Sequence, residues 1–461
     1  MAKRAKFSSK IGLIMATVGS AVGLGNIWRF PSEVHENGGA AFVLIYLVCL
    51  CVLGIPVMMA EFALGRGGKS DILGVFKNAA PNSKYWWLVG VLAVLVSYMI
   101  LSFYMVVAGW SFEYLGQSIT GGLFDGLNET EGTSLAFFAA KMGETITSSF
   151  NPLYWTYAMI IINLVVLLKG VNKGIERISN MLMPFLFLIL LLFCVVSLSL
   201  PNSMEGVRFF LKPEWSAVNI DTVIFALGQA FFSLSLGMGI LLTYSAYFPS
   251  TTHLLRTATS VATLDFVVAF LMGLIVFPAA CSFGMTEGGH GLDGATLVFV
   301  TLPEIFSKMP VSQLWSILFF FLLTIAALTS TIALGEVAIA LVEKRMKLSR
   351  VKATLLVILP LFLFSSICSL SQGPLSHILI AGRNIFDFLD LITTNIMLPT
   401  SAILVCIFMG WVVPKSFFRN QATSNGRFKA REFPIIYTMV KYVSPILILL
   451  IMLFKIVEII N

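Results

Sequence analysis

Charged residues are scarce in this chain. Lys, Arg, Asp and Glu make up 11% of its 461 residues, whereas 58% are hydrophobic and the mean hydropathy is +0.92. A soluble globular protein carries about a quarter charged residues, so the composition excludes that class. We predict an all-α polytopic membrane protein with the lipid bilayer as its surrounding solvent.

Histidine and cysteine are also rare, which argues against a metal centre or an enzyme. The four histidines are scattered along the chain, mostly in loops. The six cysteines lie in or at the ends of apolar runs, and Cys49-Val-Cys51 lacks the two-residue gap of thiolate metal pairs, so we expect small core residues. The net charge of +7 is spread between apolar runs, so no patch for nucleic acid is predicted.

Long apolar runs predict eleven membrane-spanning helices of about 20 residues or more. They cover residues 11–36, 39–64, 87–116, 153–169, 178–200, 219–249, 255–284, 311–342, 351–370, 384–412 and 434–458. Lys and Arg concentrate in the loops on one side of these spans. This bias predicts a multi-pass plasma-membrane protein with a cytoplasmic N-terminus and an extracellular C-terminus.

The first predicted span is interrupted where an unbroken helix is expected. Gly19, Gly23 and Gly25 each weaken a helix by roughly 1 kcal/mol relative to alanine, and Asn26 and Arg29 follow at membrane depth. Hydrocarbon cannot satisfy freed backbone groups, so such a break requires protein, water, an ion or a ligand beside it. The segment is therefore a candidate site, with close helix packing by small residues as the alternative.

The sixth predicted span carries a second interruption, five spans later. Ser233, Ser235, Gly237 and Gly239 lie in the middle of its apolar run. Corresponding breaks in the two halves of a chain indicate an inverted-repeat transporter with a site near the bilayer midplane. We predict a single transporter domain over residues 1–461, with five-helix repeats at 11–200 and 219–412 and an additional eleventh helix at 434–458.

Motifs at and between these breaks resemble those of the neurotransmitter:sodium symporter family. The run GSAVGLGNIWRFP at residues 19–31 precedes ENGG at 36–39, and further matches lie within residues 54–66, 103–104, 229–237 and 326–330. The resemblance implies a sodium-coupled symporter that imports amino acids by alternating access. A proton-coupled amino-acid carrier of the same fold is the alternative, and it would be expected to lack the Thr329-Ser330 pair.

The resemblance also implies a substrate pocket. Family members that carry monoamines have aspartate at the position of Gly23, so glycine implies a substrate with its own carboxylate, an amino acid. The amides of Leu24 and Gly25 at a half-helix end suit that carboxylate, and Tyr104 would donate its hydroxyl to it unless it is an ordinary core aromatic. The flexible Met238 would admit hydrophobic or aromatic L-amino acids. The expected substrate-binding residues are Ala21, Leu24, Gly25, Ile100, Tyr104, Phe232, Ser233, Ser235, Met238, Ser330 and Leu334.

By the same resemblance, two sodium ions would bind beside the pocket through oxygen ligands, which a hard cation prefers. The first ion would be held by Ala21, Asn26, Ser233 and Asp265. The second would be held by Gly19, Val22, Ala326, Thr329 and Ser330. The last three residues share one helix face, where hydroxyl groups can instead bond back to their own turn.

Asp265 departs from the commonest family pattern, which has asparagine at this position. Animal members bind chloride here, partly through a serine one turn on, where this chain has Ala269. We predict that the fixed charge of Asp265 replaces chloride and that transport is chloride-independent. A buried carboxylate is costly in a membrane, and the alternative is that Asp265 titrates and couples proton movement.

Two acidic positions are candidates for the outer gate. Arg29 and Asp390 resemble the family's extracellular gate pair, which would close above the substrate with Phe232 as a lid. Asp387 lies one turn before Asp390 and is the alternative acid. Farther along the outer face, several glycines and the run LVFV at 297–300 predict a short hairpin-like cap within residues 285–310.

The residues of the predicted inner gate match the family pattern less well than those of the predicted outer gate. Arg4 would be its arginine, but the usual aspartate partner aligns with Lys344, so the adjacent Glu343 is the expected substitute. Gly174 and Pro184 at the start of the fifth span permit either local unwinding on a sodium-release path or an ordinary kink. The oligomeric state is left open.

Overall fold

The structure is a computed structural model that describes residues 6–127, 133–285, 292, 294–429 and 431–460. Within this part of the chain the regular structure is helical, and its β contacts are two single-residue bridges. Nine continuous helices of the described residues are long and apolar enough to cross a membrane. The predicted all-α membrane fold is confirmed.

The helices of the described residues follow the predicted order, and we number them as spans 1 to 11: nine are the continuous helices, span 1 is a bent pair, and span 6 is our grouping of two shorter helices that flank the second predicted break. Span 1 consists of Lys10–Ala21 and Gly25–Glu36, which are bent by 58°, and span 6 consists of Ile220–Ser233 and Ile240–Ser245. The continuous spans 2, 3, 4, 5, 7, 8, 9, 10 and 11 are Ala40–Gly68, Trp87–Thr120, Asn151–Leu168, Val171–Leu198, Leu254–Ser282, Ser312–Arg345, Arg350–Leu370, Ile385–Val412 and Phe433–Ile459.

Short helices lie between the spans. They are Ile72–Ala79, Ser134–Thr147, Ser203–Leu211, Gly294–Ser307 and Lys415–Ala422. The prediction of a hairpin-like cap is wrong for its apolar run, which is part of the helix Gly294–Ser307, and residues 286–291 and 293 of the predicted cap lie outside the described residues. A short apolar run without alternation fits a strand and a buried helix equally well, and here Phe299 packs against Trp110, Tyr114 and Phe320.

Spans 3 and 8 form the interior wall of the molecule and pack along each other. In an apolar stretch of 18 residues within span 8, 78% is buried, whereas only 17% of the corresponding stretch in span 11 is buried. Span 8 is therefore an internal helix, and span 11 turns most of its apolar surface outward, where a bilayer would cover it.

The break in span 1 has a local backbone cause. The first half ends at Ala21 because Val22 leaves the helical conformation, with φ −66° and ψ 113°. Helix resumes at Gly25 with a wide turn in which the Phe30 N–H donates to the Gly25 carbonyl. Single wide turns of this kind occur frequently at functional sites.

The break in span 6 contains three left-handed residues. Ser235, Gly237 and Gly239 have φ values of 52°, 79° and 76°, which an α-helix does not tolerate. The Gly237 N–H donates over 2.8 Å to Glu61, a fully buried carboxylate on span 2. Span 2 therefore satisfies one of the backbone groups that this break releases.

Candidate functional site

A cavity of about 310 Å³ lies between the two breaks, with spans 3, 8 and 10 as its other walls. All eleven residues predicted to bind substrate line it. The structure thus brings together Ala21, Leu24, Gly25, Ile100, Tyr104, Phe232, Ser233, Ser235, Met238, Ser330 and Leu334.

Further aromatic residues line the cavity and were not predicted from the sequence. Phe103 and Trp110 extend the face of span 3 that begins at Ile100, at helical spacings of three and ten residues. Trp28 and Phe386 add aromatic surface from spans 1 and 10. The helical repeat of span 3 was a usable signal, whereas the residues from the other spans depend on the tertiary fold.

One end of the cavity is a narrow cradle around Gly23. The Leu24 N–H donates to the Tyr104 hydroxyl over 3.4 Å, and the Ser330 hydroxyl donates to the Val22 carbonyl over 3.5 Å. A Cβ atom placed on Gly23 would lie 2.9 Å from Ser330 Oγ and 3.1 Å from Tyr104 Oη. The space beside the freed amides therefore exists only because residue 23 has no side chain.

Three of the four residues predicted for the first sodium ion, Asn26, Ser233 and Asp265, form one buried hydrogen-bonded group. The Asn26 amide donates to Asp265 Oδ1 over 2.9 Å and to Ser233 Oγ over 3.0 Å, and Ser233 Oγ donates to Asp265 Oδ2 over 2.7 Å. Tyr46 on span 2 also donates to Asp265, over 3.2 Å. Ala21, the fourth predicted ligand, is the last residue of the helix Lys10–Ala21 and precedes Asn26 in the chain. These donors stabilise a buried carboxylate, and their oxygen atoms suit a hard cation.

The residues predicted for the second sodium ion lie where span 1 meets span 8. A Cβ atom on Gly19 would be 3.3 Å from Thr329 Cβ, and Ser330 reaches the Val22 carbonyl. The Thr329 hydroxyl donates to the carbonyls of Ile325 and Ala326, each over 3.1 Å. Carbonyl and hydroxyl oxygens of both spans therefore adjoin here, with Thr329 bonded back to its own turn.

The predicted outer gate pair is not formed in this structure. Arg29 Nε lies 3.2 Å from Glu33 Oε1, and its guanidinium stands 5.0 Å from the ring centre of Phe232. Asp390 lines the cavity, and among the described residues it makes no ion pair with Arg29. Asp387 is hydrogen-bonded to Asn384 at the start of span 10. The structure therefore places Asp390, and not Asp387, in the cavity.

The segment before span 1 packs across the end of the molecule that we predict to be the inner one. Phe7 packs against Tyr244, Tyr247 and Phe248, and the backbone N–H groups of Ser8 and Ser9 donate to Glu176 on span 5. The cavity therefore has no direct path to the inner side along this segment.

The predicted inner gate pair of Arg4 and Glu343 is not tested by this structure and stays a prediction. Arg4 lies outside the described residues. Glu343 is 3.6 Å from Arg350, which is also bound by the buried Glu336 at 2.6 Å. Lys344, at the position of the usual aspartate, instead lies 3.8 Å from Asp71. A buried acid on span 8 thus binds this arginine more closely than the half-exposed Glu343 does.

The Gly174–Pro184 segment is helical and not unwound. Residues Val171–Glu176 form wide helical turns, and the helix Arg177–Leu198 continues through Pro184. The wide turns place the start of span 5 at Val171, earlier than residue 178. Of the two interpretations of this Gly–Pro pair, the ordinary distorted helix start agrees with the structure.

Comparison with known proteins places this geometry in a family. Residues 4–131 and 127–461 match the sodium:neurotransmitter symporter family. The uncharacterized sodium-dependent transporter YhdH of Bacillus subtilis is 34% identical over 451 residues, which cover 98% of this chain and 97% of that protein. An uncharacterized sodium-dependent transporter of Methanocaldococcus jannaschii is 32% identical over 89% of this chain and 82% of its own length.

A solved structure shares the fold over nearly the whole chain. The crystal structure of MhsT in complex with L-phenylalanine has a TM-score of 0.86 and 37% sequence identity, and the match covers 98% of this chain and 99% of that chain. Family and fold therefore agree with the site built from the two breaks. The chain belongs to the sodium:neurotransmitter symporter family and is a multi-pass, sodium-dependent membrane transporter.

Proposed function

We propose that this transporter imports hydrophobic or aromatic L-amino acids together with sodium, by alternating access and without chloride. The observation that carries the proposal is the cradle at Gly23. The Leu24 and Gly25 N–H groups and the Tyr104 hydroxyl are donors that a substrate carboxylate would engage, with the Leu24 N–H exchanging its present bond to Tyr104, and residue 23 is a glycine instead of an acid that would bind a bare amine.

The rest of the cavity supports an apolar substrate side chain. Ile100, Phe232, Met238 and Leu334 also line it, and apolar walls with a few placed polar groups are typical of small-molecule sites. MhsT, whose structure contains L-phenylalanine, has the same fold. An aromatic amino acid is therefore the first substrate to test.

Two sodium ions would accompany the substrate. One would use Ala21, Asn26, Ser233 and Asp265, with an oxygen of the substrate carboxylate as a further ligand. The other would use Gly19, Val22, Ala326, Thr329 and Ser330. Asp265 would supply the negative charge beside the first ion. Because Asp265 already carries this charge, a bound chloride would be unnecessary.

The proposed transport cycle follows from the two ends of the molecule. The inner end is closed by Phe7 and its aromatic partners, while the outer pair of Arg29 and Asp390 is separate. Closure of Arg29 onto Asp390 and release of the inner packing would expose the substrate to the cytoplasm, where we place the N-terminus. The proposed repeats, 11–200 and 219–412, would move against each other around the two breaks.

Substrate binding by the purified protein tests this function. Labelled L-phenylalanine should bind in sodium and not in potassium, and Tyr104→Phe should weaken binding about tenfold or more because a hydrogen bond to a charged carboxylate is lost. Tyr98→Phe is the matched control, since the Tyr98 hydroxyl bonds the Val357 carbonyl away from the cavity. Equal binding by wild type and Tyr104→Phe, or binding without sodium, would contradict the proposal.

A further inference from the structure

Two lysines stand over aromatic rings where spans 10 and 11 touch. The Lys441 amine lies 4.4 Å from the ring centre of Trp411, 5.3 Å from that of Tyr442 and 5.9 Å from that of Tyr437. The Lys415 amine lies 4.9 Å from the same Tyr437 ring. We call these five residues the lysine–aromatic cluster. Each ammonium is within the distance at which an aromatic face attracts a cation.

Hydrogen bonds from side chains to backbone carbonyls hold this cluster in place. The Trp411 indole N–H donates to the Lys441 carbonyl over 3.0 Å, and the Tyr437 hydroxyl donates to the Gly410 carbonyl over 3.0 Å. A Cβ atom on Gly410 would lie 2.8 Å from Lys441 Cα. The two helices are therefore in direct contact, and the rings and the lysine backbone form a fixed platform.

The positive charge of the cluster has no acidic partner within the part of the chain that the structure describes. Among the described residues, no carboxylate oxygen lies within 4 Å of the amine of Lys415 or Lys441, whereas Lys455 on the same span pairs with Glu458 at 2.7 Å. Aromatic faces stabilise an ammonium without neutralising it. Two cations over a shared ring therefore leave an unbalanced charge that an anion would stabilise.

The cluster lies near the end of span 10 and faces outward. Trp411 is one residue before the last residue of span 10, and the side chains of Trp411 and Tyr442 are 59% and 47% exposed. Span 11 has little protein around it. The anions that occur at this depth next to a bilayer are lipid phosphates, and the positive-inside bias assigns this side to the cytoplasmic leaflet.

We propose that the lysine–aromatic cluster is a binding site for the headgroup of an anionic phospholipid. Lys415 and Lys441 would contact the phosphate, and the rings of Trp411 and Tyr442 would lie against the glycerol and upper acyl chains. The site is separate from the central cavity, so its failure would leave the proposed transport function unaffected.

Lipid selectivity of the full-length protein tests the proposal. Detergent-purified protein is titrated with phosphatidylglycerol or phosphatidylcholine of identical acyl chains, and lipid adducts are counted by native mass spectrometry. The wild type should prefer phosphatidylglycerol. Lys415→Gln with Lys441→Gln should lower that preference about 25-fold, about fivefold for each lysine. The variant should bind L-phenylalanine with the same affinity as the wild type, which checks that the variant is folded.

Three comparisons make the result decisive. Lys415→Arg with Lys441→Arg keeps both charges and should keep the preference, and Lys347→Gln with Lys352→Gln removes two exposed lysines elsewhere on the same side and should also keep it. Inorganic phosphate should not displace the lipid. An unchanged preference in the Lys415→Gln, Lys441→Gln protein, an equal loss in the Lys347, Lys352 control, or displacement by phosphate alone would overturn the proposal.

Discussion

Arg29 is bound to Glu33, one helical turn away at 3.2 Å, and not to Asp390 across the cavity. Its guanidinium also rests on Phe232, at 5.0 Å from the ring centre. Glu33 has only 12% of its side chain exposed and accepts a second hydrogen bond, from Asn37. Arg29 is therefore held by its own helix, and the proposed closure would require it to exchange Glu33 for Asp390.

Loss of the acid on span 10 should impair transport more than binding. We expect Asp390→Asn to reduce the rate of uptake about two- to fivefold, because an exposed ion pair contributes about 1 kcal/mol or less. Equilibrium binding of L-phenylalanine should change little, since Asp390 is unpaired in this state. Asp387→Asn is the matched control and should transport normally. An equal loss of transport rate in the two variants would contradict a gate function of Asp390.

Filling the cradle at residue 23 should weaken substrate binding. Gly23→Ala places a Cβ atom 2.9 Å from Ser330 Oγ and 3.1 Å from Tyr104 Oη. Overpacking of this kind costs about 1–3 kcal/mol, so the Kd for L-phenylalanine should rise about five- to 150-fold. Gly143→Ala, where a Cβ atom has no neighbour within 4 Å, should bind as the wild type does. An unchanged Kd for Gly23→Ala would show that the carboxylate binds elsewhere.

Removal of the fixed charge at Asp265 should create a chloride requirement. Wild-type uptake should be the same in sodium chloride and sodium gluconate, because Asp265 supplies the anion. Asp265→Asn combined with Ala269→Ser, which restores the serine ligand, should transport in chloride and lose most of its activity in gluconate. Uptake of labelled substrate into proteoliposomes in the two salts measures this. A chloride requirement of the wild type, or indifference of the double variant to chloride, would contradict the charge-replacement account.

Asp71 lies in the inner loop after span 2 and makes the stability of this loop depend on pH. Burial alone would raise the pKa of Asp71, but the Gly74 N–H and the nearby Arg345, at 3.0 Å, lower it below its ordinary value. A lowered pKa gives stability that is present above the unfolded-state pKa, about 3.9, and is lost as the pH falls through the folded-state pKa. The Asp71 carboxylate therefore stabilises this loop at neutral pH.

Asp71→Asn should isolate this charge, since asparagine keeps the helix N-cap. At pH 7 the variant should be less stable by about 1 kcal/mol or less, because Arg345 is 41% exposed and the pair is screened by solvent. Thermal unfolding at pH 7, 5 and 3.5 measures the difference, which should shrink toward zero at the lowest pH. A difference that stays constant with pH would exclude an electrostatic contribution of Asp71.

The sequence predicted the substrate cavity better than it predicted the gates. Glycines and serines at membrane depth are an energetic anomaly in the chain itself, so both breaks could be located before any contact was known. Tyr46, which donates to Asp265, is a lone tyrosine in an apolar run and has no such signal. The partner of Arg29 depends on side-chain conformation and on which end of the transporter is closed, and a linear pattern records neither.

The segment 297–300 shows a different limit of sequence interpretation. Its four buried apolar residues fit a strand or a buried helix, and only packing against spans 3 and 8 decides for the helix. Span 5 begins at Val171 and not at the predicted residue 178 for a related reason, because wide turns extend the helix toward its N-terminal end. Both errors concern the type or the boundaries of secondary-structure elements. Neither affects the prediction of the cavity between the two breaks.

Uptake of labelled L-phenylalanine into proteoliposomes under single imposed ion gradients tests the central claim most directly. An inward sodium gradient should drive accumulation above the external concentration, and replacement of chloride by gluconate should not reduce it. A proton gradient in the absence of sodium should drive none. Accumulation under the proton gradient, with none under the sodium gradient, would contradict sodium-coupled amino-acid import by this protein.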